Sequence, residues 1–194
     1  MEGLAQILTS LGAAAPAGFN AYLSLLLVGI GGRVGWVNLA SPYDLLQSNT
    51  ALGLLTVLLT IELVADKIPA LDSVNDIVGT VVRPVAGAML FAGTSGEMNQ
   101  LLALLLGGSA AGALHAFKAG TRPVWTLSTG GLANPVVSVF EDLVAGATVV
   151  LAMLAPFIGI LVLLIVMGLA TWLLLRLRRG IRAGRRSSRA GALR

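Results

Sequence analysis

Residues 157–176 read FIGILVLLIVMGLATWLLLR, from Phe157 to Arg176, with one charge in the last position. About 20 apolar residues rising 1.5 Å each span the roughly 30 Å hydrocarbon layer of a bilayer, so this stretch is expected to be a transmembrane helix. Upstream, residues 135–155, 98–118, 73–93, 48–66 and 4–31 meet the same criterion. A chain in lipid must satisfy its own backbone hydrogen bonds, and the alternating pattern of a barrel is absent. The expected fold is an all-α integral membrane protein with about six transmembrane helices. Residues 1–176 form one transmembrane domain, followed by a basic cytoplasmic tail at 177–194, expected to be flexible.

The first candidate is too long for one straight span and contains Pro16-Ala17-Gly18-Phe19-Asn20. A missing amide donor beside a permissive glycine predicts a helix broken near Pro16. Ala13-Ala14-Ala15 imitates a cleavage site, but Glu2 stands where a signal peptide is basic and the apolar pattern resumes at once. We read the segment as a retained first span.

Only 11% of the 194 residues are charged and mean hydropathy is +0.89, whereas soluble domains carry about 25% charge. Eight of the 13 Lys and Arg follow the last apolar run, at Arg176, Arg178, Arg179, Arg182, Arg185, Arg186, Arg189 and Arg194. The rest of the chain holds five bases and nine acids. The high isoelectric point therefore describes a tail, not a nucleic-acid surface, and no nucleic-acid partner is expected. The positive-inside rule keeps that tail cytoplasmic, and six spans place the N-terminus there too. Lys67, Lys118 and Arg122 fall on that side and Arg33 alone on the other. A bacterial inner membrane is the expected location, with the lipid bilayer as partner. With no cysteine, neither a disulfide framework nor a thiolate metal site is available.

Two polar connections then face the same side. One runs from Glu62 to Asp76; the other starts at His115 and passes Lys118, Arg122, Pro123 and Asn134 to Glu141 and Asp142. Each passes a base and a proline before a helix with early carboxylates. Gly79-Thr80 with Arg83-Pro84, set against Gly120-Thr121-Arg122-Pro123, suggests a diverged parallel repeat matching spans two and three to four and five.

Phe19-Asn20-Ala21-Tyr22, Glu62-x-x-Ala-Asp-Lys-x-Pro-x-x-Asp-x-x-Asn-Asp, Arg83-Pro84-x-x-Gly-Ala, His115-Ala-x-Lys-Ala-Gly-Thr-Arg and Ser138-x-x-Glu-Asp are the most distinctive pieces. In these the chain resembles an uncharacterised family of small bacterial membrane proteins, domain of unknown function 4126, over about residues 3–175. It departs where relatives carry a Ser-Pro-Glu-Pro-like segment and this chain has Ser128-Thr129-Gly130-Gly131. The resemblance implies a multi-span fold and lends weight to the polar positions. It brings no activity.

An ionised group at a helix centre costs roughly 2.5–3.5 kcal/mol on insertion scales, so charges within spans must pair, line a wet cavity or act. Asp72 and Asp76 share a helix face, and Arg83 lies on the same stripe about 16 Å from Asp72 by helical rise. Arg83 needs a partner, for which Glu62, Glu141 and Asp142 are the candidates. The functional reading is a small transporter or channel for an ion or small polar solute. Asp66, Asp72, Asp76, Glu141 and Asp142 would hold a cation or proton, Arg83 would be the counter-ion, and Asn20 and Asn134 would be neutral ligands; Glu62 and Asn75 also belong to the candidate binding set. Lys67, Lys118, Arg122 and His115 complete the set of candidate binding residues.

The bland reading of the same set is buried ion pairs that fix register in a non-catalytic scaffold. A third reading is an enzyme acting on lipid phosphates, with Mg²⁺ on Asp72 and Asp76; helix N-terminal acids more often complement the dipole. No cofactor is otherwise expected. No Ser-His-Asp order or P-loop is present, which argues against a hydrolase or a nucleotide-driven pump. His115 would ordinarily complement a helix C-terminus, and Lys118 would snorkel to the membrane edge. Gly107, Gly108, Ser109, Ala110, Ala111, Gly112 and Ala113 make one small-residue face, read as close helix packing and, less simply, a pore wall or homo-oligomer seam.

Overall fold

The computed structural model describes residues 2–66 and 69–191, with side chains from 3 to 66, from 74 to 176 and at Arg179. Among the described residues there is no strand. The helices are α1 (Glu2–Ala14), α2 (Ala21–Arg33), α3 (Asn49–Ala65), α4 (Pro69–Thr94), α5 (Gln100–Thr129), α6 (Asn134–Leu154) and α7 (Pro156–Gly191), with 3₁₀ turns at Ala15–Gly18 and Tyr43–Gln47. Four stretches are long and apolar enough to cross a membrane: Val74–Thr94, Gln100–Thr129, Asn134–Leu154 and Pro156–Arg176. Ile77, Val81, Leu143 and Leu164 on these helices each expose more than three-fifths of their surface, which suits hydrocarbon rather than water. The chain is a helical membrane protein.

The expectation of six spans is not confirmed, because the first candidate doubles back. α1 begins with Gln6 against Gly96, passes Gly12 beside Ala152, and ends with the Ala14 carbonyl against Gly87. α2 then starts beside Asp142, to which Asn20 is bonded, passes Leu23 and Leu27 beside Gly146, and reaches Met153 at Gly31. One limb runs inward and the other returns to the end of the bundle it came from. The break near Pro16 is present, but it makes a re-entrant hairpin rather than a kinked span. The segment after α2 stays at that end, where the Ala40 amide donates to the Gly93 carbonyl.

From there α3 to α7 run alternately between the two ends. The N-terminal end of α1 thus lies at the end of the bundle where α4 and α6 finish. The physical reason is the buried turn. Pro16 lacks an amide donor, and Gly18 packs so closely on the Ala111 carbonyl and His115 amide that a Cβ would collide. Non-helical backbone is tolerated at this depth only where protein covers it, and every residue from Ala15 to Asn20 is buried.

α5 also outruns its expected end at residue 118 and continues through Pro123 to Thr129. Arg122-Pro123 thus lies before the α5–α6 connection, whereas Arg83-Pro84 lies after the α3–α4 connection and inside α4. The two pairs are not in corresponding places, so that part of the proposed repeat fails. The small face of α5 packs against α4 as expected: a Cβ on Gly107 would strike the Gly87 carbonyl and Phe91.

Two measurements check this architecture. The chain's lack of cysteine makes single-cysteine labelling clean: Gly3→Cys and Glu97→Cys are expected to label from one side of the membrane and Leu132→Cys from the other. Labelling of Gly3→Cys together with Leu132→Cys would restore a true first span. Gly107→Ala should cost about 1–3 kcal/mol by overpacking, while Gly53→Ala, with nothing within 4 Å, should leave the melting temperature unchanged or slightly raised.

Candidate buried charge network

The polar residues picked from separate stretches converge. Glu62 comes from the last turn of α3 and Asp66 caps that helix. Asn75, Asp76, Thr80 and Arg83 share one face of α4, at spacings of one to two helical turns. His115, Lys118 and Arg122 do the same on α5, and Ser138 and Glu141 on α6. These elements meet around the re-entrant turn. Arg83 and Lys118 have no exposed surface, and Glu62, Asp66, His115 and Glu141 are all buried.

The ion pairs form one chain in which sign alternates. Glu62 Oε1 is 3.1 Å from Arg83 Nη2, and Arg83 Nη1 is 3.4 Å from Asp76 Oδ1. Asp76 Oδ2 is 3.8 Å from Arg122 Nε, and Arg122 Nη2 is 4.0 Å from Asp66 Oδ2. Asp66 Oδ2 is 3.2 Å from Lys118 Nζ, which is 3.4 Å from Glu141 Oε2. Among the described residues, Asp66 and Asp76 each form ion pairs with two bases, whereas Glu62 and Glu141 at the ends of the chain each form one. Asp66 is further satisfied by Asn75 Nδ2 at 2.6 Å and Ser138 Oγ at 3.0 Å. By contrast, Glu62 Oε2 and Glu141 Oε2 are buried and receive no hydrogen bond.

Two further contacts fix the inner part of the site. Arg83 Nη1 donates to His115 Nδ1 at 2.7 Å. A guanidinium can only donate, so the neutral ring carries its proton on Nε2 and offers it to Thr80 Oγ1 at 3.3 Å. Lys118 Nζ donates to the Phe19 carbonyl at 3.1 Å, which the helix break has freed. Next to it, Asn20 caps α2 through its Oδ1, which accepts from the Leu23 amide, and donates Nδ2 to Asp142 Oδ1 at 2.9 Å.

Several expectations change. Lys118 is not a membrane-edge anchor but a buried hub, because the break, Asp66 and Glu141 all present acceptors to it. His115 sits midway along α5 rather than at a C-terminus, because α5 runs eleven residues past the expected end. Arg83 pairs with Glu62 as expected but takes Asp76 as its second partner. Glu141 turns to Lys118, and Asp142 to Asn20. Asn134 stays apart at the first position of α6, donating to Thr126 Oγ1 at 3.0 Å. The side chains of Lys67 and Asp72 lie outside the described residues, so the Asp72–Asp76 metal pair is not seen there. Asp76 itself is engaged by two arginines, and among the described residues no group of three His, Asp or Glu is placed to hold a metal.

Thr80, Ser138 and the Phe19 carbonyl were missed by sequence reasoning. Ser138 lies three residues before Glu141 and Thr80 three before Arg83, a helical spacing that would have signalled them. The carbonyl had a signal only in the break itself.

Removing a partner from a buried pair costs about 3–5 kcal/mol because it strands a charge. Lys118→Met should therefore be among the most destabilising single changes in the bundle, and Arg122→Gln, which is part exposed and lies 3.8–4.0 Å from Asp76 and Asp66, should cost clearly less. Thermal unfolding in one detergent checks the ranking, and equal melting temperatures for the two variants would contradict the hub role.

Comparison with curated proteins finds no match, and comparison with solved structures finds none. A family described as Domain of unknown function (DUF4126) matches residues 7–176. That range takes in the re-entrant hairpin, the whole alternating charge chain and the last span. The chain belongs to that family.

Proposed function

We propose that the protein is a small membrane transporter in which the buried charge chain binds and releases protons while an ion or small polar solute crosses the bundle. The observation that supports this most is the pair of end members. Among the described residues Glu62 and Glu141 are buried carboxylates that each form an ion pair with one base and each keep an oxygen without a hydrogen bond, that of Glu141 lying 3.4 Å from Lys118 Nζ. A buried carboxylate oxygen with no hydrogen bond is a place where an added positive charge finds an unmet acceptor.

The hairpin supplies the second element such a device needs. Two half-helices meet inside the bundle, with the N-terminus of α2 at Asn20 and the freed Phe19 carbonyl next to the charges, as in discontinuous-helix transport sites. Asp76 and Arg122 are the partly exposed members of the chain, and they mark its route to water. The positive-inside rule makes that end cytoplasmic, together with the arginine-rich C-terminus. The N-terminus then faces the other side, and a bacterial inner membrane remains the proposed setting.

A scaffold is the second reading, favoured by the complete burial of Arg83 and Lys118. Purified protein in liposomes with an imposed pH gradient separates the two. Glu62→Gln and Glu141→Gln should each reduce proton-linked flux at least tenfold while moving the melting temperature little, because glutamine keeps an acceptor for the facing base. Asp76→Asn should reduce flux as well. Unchanged flux in both glutamine variants, with shifts confined to stability, would replace the transporter with the scaffold.

A further inference from the structure

Between α5, α6 and α7 lies a groove of about 430 Å³ whose walls are almost wholly apolar. On α5 they run from Phe117 to Trp125, on α6 from Val136 to Val144 and on α7 from Val166 to Leu174. Each wall advances eight residues, which by helical rise is about 12 Å, close to the roughly 15 Å that one leaflet contributes to the hydrocarbon layer. The outer end of the groove is the same on all three walls: Trp125 lies four residues before the end of α5, Val136 two after the start of α6, and Leu174 two before the end of the span Pro156–Arg176. Val136, Phe140 and Leu169 each expose more than half of their surface along its rim, so the groove opens toward lipid. A hydrocarbon chain of one leaflet fits it in length, direction and polarity.

What stands at the outer end decides which lipid supplies the chain. Leu169, Leu173 and Arg176 recur at i, i+4 and i+7 on one stripe of α7, and the two leucines line the groove, so Arg176 stands less than one turn beyond its mouth. Arg176 is exposed, and its guanidinium carbon lies 5.3 Å from the centre of the Trp172 ring, an aromatic anchor of the kind that sits at headgroup depth. Arg179, also exposed, follows within one turn. α7 continues as a helix to Gly191, its sequence there adds five more arginines, and no acid follows Asp142. A guanidinium pairs with a phosphate through two parallel hydrogen bonds. An anionic headgroup keeps that charge, whereas a choline headgroup adds a second cation that finds no acid on α7.

We infer that this groove holds one acyl chain of an anionic phospholipid, with the lipid phosphate on Arg176. Two independent features select that occupant: the walls accept hydrocarbon and reject a polar head, and the mouth accepts a phosphate. The site goes beyond the transport reading and does not depend on it.

The test uses the full chain in lipid nanodiscs with Trp36→Phe and Trp172→Phe, which leaves Trp125 in the groove wall as the reporter and keeps a ring beneath Arg176. The discs contain equal amounts of phosphatidylglycerol and phosphatidylcholine with the same chains, and dibrominated chains, which quench tryptophan on contact, are placed on one lipid or the other. Quenching of Trp125 is expected to show phosphatidylglycerol favoured at least about fivefold, the gain from one base beside an anionic headgroup. Arg176→Gln should remove most of that preference, whereas Arg189→Gln, about 20 Å farther along α7 by helical rise, should leave it unchanged. Ala170→Phe, which fills the groove, should abolish the difference between the two lipids at Trp125.

Equal quenching by the two lipids overturns the inference, and so does a preference that survives Ala170→Phe unchanged. A preference that falls as much in Arg189→Gln as in Arg176→Gln overturns it as well, since the anionic lipid is then gathered by the charge of the whole helix rather than held at the groove. That comparison decides the matter should Ala170→Phe not fold. Quenching is read without flux, so its outcome and that of the pH-gradient experiment are independent, and loss of flux in Glu62→Gln leaves the lipid site standing.

Discussion

The ammonium group of Lys118 holds the centre of this bundle together. From α5 it reaches the Phe19 carbonyl in the re-entrant turn, Asp66 at the end of α3 and Glu141 on α6. A fully buried ammonium carries a desolvation cost that only several acceptors at close range can offset. Its side chain therefore ties four separate segments into one arrangement, and the backbone of the break gains the partner that hydrocarbon would deny it.

The turn and the charges depend on each other. Without the break, the Phe19 carbonyl would be tied up in a helix and Lys118 would lose an acceptor. Without Lys118, that carbonyl would be buried with its lone pairs unmet. Gly18 allows the approach because any side chain there would strike α5 at Ala111 and His115. Asn20 does two jobs in the next position, capping α2 and holding Asp142. The hairpin is thus fixed from both sides of the break, while the ends of the charge chain are left less well served than its middle.

That unevenness runs along the whole network. Asp66 accepts from Asn75, Ser138 and Lys118, and such a group has little use for a proton. Glu62 and Glu141 lie equally deep with one base each. Asp76 and Arg122, in the middle of the chain, are part exposed, while Glu62 and Glu141 at its ends are buried.

Hydropathy alone was enough to determine the class of the protein and the position of the break, because burial in lipid and the missing amide of Pro16 are local constraints, but it counted six spans where four stretches are long and apolar enough to cross a membrane. The list of polar residues was legible for the same reason: a charge inside an apolar run stands out wherever its partner lies. The direction of the chain after the break was not legible, since a kinked span and a hairpin satisfy the same hydropathy. Nor was the pairing. Lys118 at the end of an apolar run reads as a snorkelling anchor, and only the extension of α5 through Pro123 to Thr129 puts it in the interior. Sequence determined which groups must find partners. Which partners they found was decided by tertiary structure, because ion pairing is a property of distance and these residues are brought within reach only when α3, α4, α5 and α6 close around the hairpin.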